Sequence, residues 1–504
     1  MRKVSGWVWL TWVFILIGSL SVAEEEIPSD IPKTDLDLYL EQHRIELGPK
    51  LVVPPLDWDD RPDFKPITMS DLPDFSADVE KKVTKKGKVN ENGLLSTINF
   101  EEYEGRKVNN ELKLKLPPEL TGFTGEIKVR TVWQPKKAPL AVMLLGFGQK
   151  ADDKNARSWQ ADLYKAGNHV LSFDSIVRND MNRATSHGVA GNIMLEGERC
   201  AQIIASVLRM KDEVSGEIYG ERVSSVRLAG FSYGGALALQ VLRVPKAKDW
   251  PVDRALIVST PVDLLRTSEL LDLYYWADQT HFSTFSLARL LEGFTPEDEE
   301  PSERELSLLR AGLGYVFHGD VSDIFEDNMK RYMPNMVDHL KTFSASADVK
   351  AHREKELARL KKNNERALAD LEAQKDQLSK DEYKERRRNL KEDYESKEAY
   401  ASTEVGDIGE WSFKHGRYLM VRPYWDIRNN MSDYGRLKEL LKGAPNFVQV
   451  VISEDDPLNV PDDVEAFKAT VKEPQLLLLP HGGHLGLSGT QWFQALMAKF
   501  FAAK

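Results

Sequence analysis

The sequence predicts an α/β fold, with a mostly parallel sheet and helices on both faces. Three observations predict it. Short apolar runs at 140–145 (LAVMLL), 169–173 (HVLSF), 226–229, 254–259 (RALIVS), 447–452 (FVQVVI) and 476–479 (LLLL) have the length and composition of buried strands. Helical patterns at 152–166 and 193–210 lie between the early runs, and strands alternating with helices argue for a parallel sheet. Residues 223–244 (VSSVRLAGFSYGGALALQVLRV) read as strand, sharp turn and helix in immediate succession.

The elements follow in chain order. Residues 1–23 (MRKVSGWVWLTWVFILIGSLSVA) place two positive charges before an apolar run and small residues at Ser21, Val22 and Ala23. This is the pattern of a cleaved secretory signal, so the protein is expected to be exported, periplasmic or secreted. The alternative is an uncleaved membrane anchor, for which the apolar run is short of the ~20 residues a span needs. Residues 24–118 form a leader whose first part is acidic, with prolines at 28, 32, 49, 54, 55, 62, 66 and 73. Proline at that spacing forbids long helices. Wrapping around the following domain, a free leader and partial disorder are all open readings. Alternation at 112–116 and 127–133 predicts antiparallel strands leading into the sheet.

The first part of the core is assigned to 119–263 and the second to 447–504. In the helix at 193–210, Leu195, Ala201, Ile204 and Leu208 fall at helical spacing. Cys200, the single cysteine, is expected to be a buried packing residue in its interior and cannot form an internal disulfide. The long stretch 264–446 is an insertion between two strands. Its first part is helical in character and rich in aromatics (Tyr274, Tyr275, Trp276, Phe282, Phe285), most of which are expected to form its own core.

Within the insertion, 349–399 is dense in Lys, Arg and Glu, with Leu357, Asn364, Leu371 and Leu378 every seventh residue. Leu360 and Ala367 take the complementary positions, and Ser379 to Glu382 offers a capping box for a second helix. Tyr383, Leu390 and Tyr394 continue the seam, so an antiparallel, coiled-coil-like helical hairpin is expected. It offers a surface to an envelope protein partner or for self-association, and the sequence does not choose between them.

The turn at 230–235 (GFSYGG) puts Ser232 at the end of a strand and the start of a helix. A serine needs a base, and the base needs an orienting carboxylate, to act as a nucleophile. Both come later, each just after a strand: Asp455-Asp456-Pro457, then His481-Gly482-Gly483-His484. In a parallel sheet those strand ends share one edge, where distant residues meet. Either aspartate could orient the histidine. His187, in a Ser-His-Gly stretch, reads as a loop histidine without a catalytic part.

Gly230-Phe231-Ser232-Tyr233-Gly234, Asp455-Asp456-Pro457 and Gly483-His484-Leu485-Gly486 together resemble the α/β-hydrolase superfamily of serine esterases and lipases. The resemblance covers roughly 120–290 and 400–504. It implies an α/β-hydrolase fold with a large helical cap insertion, and a serine hydrolase cleaving lipid or small acyl esters. It implies Ser232 as nucleophile, His484 as base and Asp456, directly before the proline, as the acid. Asp455 and His481 become secondary candidates. The oxyanion hole is expected from the amides of Tyr233 and Phe147, with Gly148 as the alternative to Phe147. The chain departs from many members in carrying Leu145-Gly146 where they carry His-Gly. An acyltransferase or peptidase using the same three residues is a close variant. A non-catalytic envelope scaffold on the same fold is the alternative from another class.

The net charge of −11 argues against binding nucleic acid or anionic membranes. There is no metal-type Cys/His spacing, and the Gly146-Phe147-Gly148 turn lacks the later glycine of a dinucleotide loop. Neither metal nor cofactor is expected.

Overall fold

The computed structural model describes residues 51–75, 111–185, 191–212, 214–267, 347–402, 433–459, 461–471, 473–480 and 482–503. The signal pattern at 1–23, His187, His481 and the aromatics between Tyr274 and Phe285 lie outside the described residues. Among the described residues no helix is long and apolar enough to cross a membrane.

Eight strands form one sheet: β1 (Glu111–Leu116), β2 (Ile127–Val132), β3 (Ala138–Leu144), β4 (His169–Phe173), β5 (Val223–Phe231), β6 (Val252–Val258), β7 (Val448–Ser453) and β8 (Leu476–Leu479). Their spatial order is β1-β2-β4-β3-β5-β6-β7-β8. The β1–β2 and β2–β4 pairs are antiparallel, and every pair from β4 through β8 is parallel. The longer helices are α1 (Lys154–Lys165), α2 (Ile193–Arg209), α3 (Tyr233–Val241), α4 (Ala347–Ala373), α5 (Lys380–Ser402), α6 (Pro461–Thr470) and α7 (Gln491–Phe500).

The apolar runs are continuous because both faces of the sheet are covered. Successive side chains of β3 and of Leu145 just after it alternate between two cores: Leu140, Val142 and Leu144 join one, Ala141, Met143 and Leu145 the other. The first core takes residues of α2, α3 and α6, and the second takes residues of α1 and α7. Side-chain caps start two of these helices, Asn192 accepting from the Leu195 N–H (3.2 Å) and Thr490 from the Phe493 N–H (3.1 Å).

The inward face of α2 is rotated from the expected one. Ala201 and Ile204 are buried, but Leu195 and Leu208 sit half-buried at its margins, while Glu196 and Cys200 point inward. The spacing of the leucines alone could not fix the centre of the stripe, because a helix in a two-layer core buries a broad arc.

The proline-rich segment 51–75 wraps the domain in mostly extended form. Val53, Leu56, Ile67, Leu72 and Phe75 are buried against it. The Trp58 indole donates to the Leu242 carbonyl (2.8 Å). Gln449 of β7 brackets Ile67, accepting from its N–H (3.0 Å) and donating to its carbonyl (2.8 Å). Phe75 packs edge-on against Trp492 and Phe64 against Phe500. Side-chain pairing of this kind serves a chain that proline bars from regular ladders.

The chain divides into two compact units, and residues 347–402 fall in a different one from the sheet. There α4 and α5 form a helical hairpin, with Leu360 and Leu371 buried. The seventh-residue pattern runs one step further than the helix does. Leu378 is extended (φ −107°, ψ 150°) in the connection, because the next residue, Ser379, caps α5 by accepting from the Glu382 N–H (3.2 Å).

Candidate functional site

The parallel strands present their C-terminal ends along one edge, where the segments after β3, β5, β6, β7 and β8 converge. The chain leaves β5 at Phe231, turns at Ser232 and enters α3 at Tyr233. Ser232 holds φ 52° and ψ −127°, a conformation that costs a non-glycine residue ~1–3 kcal/mol. Its neighbours make the turn sterically feasible. A Cβ on Gly230 would lie 2.6 Å from the Gly234 carbonyl oxygen, and one on Gly234 would lie 2.0 Å from that of Leu144. The turn is held from β6, where the Val258 carbonyl accepts from the Ser232 N–H (2.8 Å) and Thr260 Oγ1 donates to the Ser232 carbonyl (2.8 Å).

Ser232 Oγ lies 2.8 Å from His484 Nε2, and His484 Nδ1 lies 2.9 Å from Asp456 Oδ2. The three residues are 8%, 3% and 2% exposed, so little solvent competes for these bonds. An ionised carboxylate only accepts, so it places the imidazole proton on Nδ1 and leaves Nε2 to accept from the serine hydroxyl. Asp456 Oδ1 is held by the Leu458 N–H at 2.9 Å. Asp455 faces elsewhere. Its two oxygens accept from the N–H groups of Gly483 (2.8 Å) and Gly482 (3.2 Å), tying the acid loop to the histidine loop. A further tie runs from the Leu485 N–H to Ser259 Oγ at 3.3 Å.

The loop after β3 lies against Ser232: a Cβ on Gly146 would sit 3.1 Å from that of Ser232. Three bonds fix the loop. Gln149 Oε1 accepts from the Gly146 N–H (3.1 Å), Arg178 donates to the Gly148 carbonyl (3.1 Å), and the Ser175 N–H donates to the Gln149 carbonyl (2.9 Å). Phe147 meets Tyr233 edge-to-face, with ring centroids 5.4 Å apart. The site edge thus brings together Ser232, Asp456, His484, Phe147, Tyr233, Gly148 and Asp455.

The insertion begins beside this edge. Its two feet pair with each other, the Leu264 N–H donating to the Gly435 carbonyl (3.1 Å) and the Leu437 N–H to that of Val262 (3.0 Å). They also hold the acid loop, since Asn459 Oδ1 accepts from the Val262 N–H (2.8 Å) and Thr267 Oγ1 donates to the Leu458 carbonyl (2.7 Å).

The motif reading missed Gln149, Arg178 and Glu196. Gln149 and Arg178 carry no local signal, because they act through backbone groups that the fold brings near. Glu196 did carry one. It lies three residues after Ile193 and four before Cys200, on an otherwise apolar helical stripe. It is fully buried and accepts from the Tyr233 hydroxyl. Burial, and then the neighbouring Glu196, push the Tyr233 phenol well above its ordinary range. The same two causes push the Cys200 thiol up, which keeps it protonated and inert.

No family model matches the sequence, and no curated protein matches it. Among solved structures the chain is similar to a dienelactone hydrolase from Anabaena variabilis, at 17% identity over 31% of this chain and 65% of that one (TM-score 0.24). It is also similar to an esterase from Pyrobaculum calidifontis, at 16% identity over 47% of this chain and 70% of that one (TM-score 0.24). A third is the thioesterase domain from the curacin biosynthetic pathway, at 15% identity over 78% of this chain and 99% of that one (TM-score 0.32). The chain spans just under two thirds of the length of the first of these. The strand order, the strained serine turn and the convergence of strand ends define the class: this is an α/β-hydrolase fold.

Proposed function

We propose that the protein is an exported serine hydrolase that cleaves carboxylic esters, of lipids or small acyl groups, through Ser232, His484 and Asp456. The observation that carries this is the continuous chain from Ser232 Oγ to His484 (2.8 Å) and from His484 to Asp456 (2.9 Å), with the serine in a strained turn. A scaffold has no physical need for all three at once.

In this reading Ser232 Oγ bonds to the acyl carbon while its proton passes to His484 Nε2. Asp456 holds the imidazole and stabilises its positive charge. The negative charge moves to the carbonyl oxygen, where the Tyr233 N–H is one donor. The Gly146 N–H is taken by Gln149, so the second donor falls to Phe147, with Gly148 as the alternative. Collapse of the tetrahedral adduct breaks the ester bond, and the leaving alkoxide takes the proton from Nε2. Water then repeats the sequence on the acyl-enzyme, releasing the acid and restoring Ser232. Export rests on the 1–23 pattern. The exposed charged hairpin 349–399 would serve an envelope partner or a second copy.

The test is turnover of p-nitrophenyl esters of graded acyl length. The wild type is expected to turn them over after an acyl-enzyme burst, and Ser232→Ala to lose both phases. Equal turnover by the two would overturn the reading.

A further inference from the structure

We propose that Glu196, acting through Tyr233, is a positioning residue that sets the two backbone donors of the oxyanion site. The proposal rests on the reading of Ser232 as nucleophile.

Glu196 is a carboxyl group on a buried helix face that also carries Ile193, Cys200, Ala201 and Ile204, so its place there calls for a polar use. A carboxylate in the core costs several kcal/mol unless fully bonded, and an apolar side chain would fill the space without that cost. Both of its oxygens are engaged. One accepts from the Gly191 N–H (2.6 Å) and the other from the Tyr233 hydroxyl. The helix spacing allows this reach, because a Cβ on Gly197 would lie 2.3 Å from Gln240 Cγ of α3, so only glycine lets α2 approach so closely.

Tyr233 is the residue whose N–H stands next to the nucleophile, and its ring does not enter the site. It is buried, runs back to Glu196 at its hydroxyl end and meets the Phe147 ring at 74° along its side. A connected path thus leads from the start of α2 through Glu196 and Tyr233 to Phe147. The two residues expected to donate to the oxyanion are linked by their side chains, and Glu196 anchors that link at the Tyr233 hydroxyl. Oxyanion donors act only when held where charge develops, so an anchor behind them affects the transition state more than substrate binding.

The test uses the full chain with p-nitrophenyl butyrate and a fluorophosphonate, comparing wild type with Tyr233→Phe, Glu196→Gln, Glu196→Ala and the double variant Tyr233→Phe/Glu196→Gln. Each is assayed well below its own Tm, and rates are taken per folded molecule. Tyr233→Phe and Glu196→Ala are expected to lower kcat about tenfold with KM little changed, as small misplacements of reacting groups do. Glu196→Gln, which keeps an acceptor, should retain more activity than Glu196→Ala. The double variant should be no worse than its more impaired parent, since the pair acts as one unit. Unchanged kcat in folded variants, whatever their Tm, would overturn the proposal, as would additive losses in the double variant. If wild type labels with the fluorophosphonate and the variants label equally fast, this inference alone fails. If wild type neither labels nor turns over ester, the reading of Ser232 fails first and takes this one with it.

Discussion

Asp455 and Asp456 are adjacent in the chain but hold different partners: Asp456 Oδ2 lies 2.9 Å from His484 Nδ1, while Asp455 accepts from the Gly483 N–H at 2.8 Å. In the proposed mechanism one orients the base, and the other anchors the loop that carries it. Asp456→Asn should therefore lower kcat by about 10⁴, because an amide in that place permits the wrong imidazole tautomer. Asp455→Asn keeps one acceptor oxygen for the loop and should cost about tenfold, with a lower Tm from the weaker bonds. Steady-state kinetics and thermal melts of both variants check the ranking, and the reverse order would exchange the two roles.

Ser232 is held at φ 52°, a conformation that costs stability and that the proposed nucleophilic role accounts for. Glycine adopts that conformation freely. Ser232→Gly should abolish turnover while raising the unfolding free energy by about 0.5–1 kcal/mol, the relieved strain exceeding the added chain entropy. Urea denaturation of the two proteins gives the comparison. A less stable glycine variant would show that the turn is not strained.

His169 in β4 is fully buried, and that burial pushes its pKa down to about 4, with the Arg222 backbone carbonyl partly opposing and the Arg222 charge adding to the shift. Its ring suits the neutral form: Nδ1 accepts from the Gln134 N–H (2.8 Å) and Nε2 faces the Arg222 carbonyl (3.0 Å). Between pH 4 and the ordinary histidine value near 6.5, the unfolded chain binds a proton that the folded one does not. Stability from this site is therefore complete above about pH 6.5 and is lost as pH falls toward 4, by about 3 kcal/mol at most. Denaturant titrations at pH 4.5, 5.5 and 7 should show a steeper loss in wild type than in His169→Gln. Parallel losses would mean that His169 does not titrate with folding.

How much was legible in the sequence follows from where each bond is made. Ser232, Asp456 and His484 could be read because each sits just past an apolar strand with its own local turn residues. The sequence left Asp455 and Asp456 open, since only the path of the loop decides which carboxylate turns toward His484. Gln149 and Arg178 were illegible because they bind carbonyl and N–H groups that every residue has. Glu196 was legible in principle, but the leucines at 195 and 208 drew the buried stripe away from it. Segment 51–75 could be read as non-helical from its prolines. Its burial could not, because Val53, Leu56, Ile67 and Phe75 follow no period.

The central claim is that Ser232 is a nucleophile activated by His484. The most direct measurement is mass spectrometry of the protein after reaction with a fluorophosphonate. One phosphonyl group per chain, on the peptide containing Ser232 and absent from His484→Ala treated for the same time, is the expected result. An adduct on another residue, or equal labelling of Ser232 without His484, would contradict it.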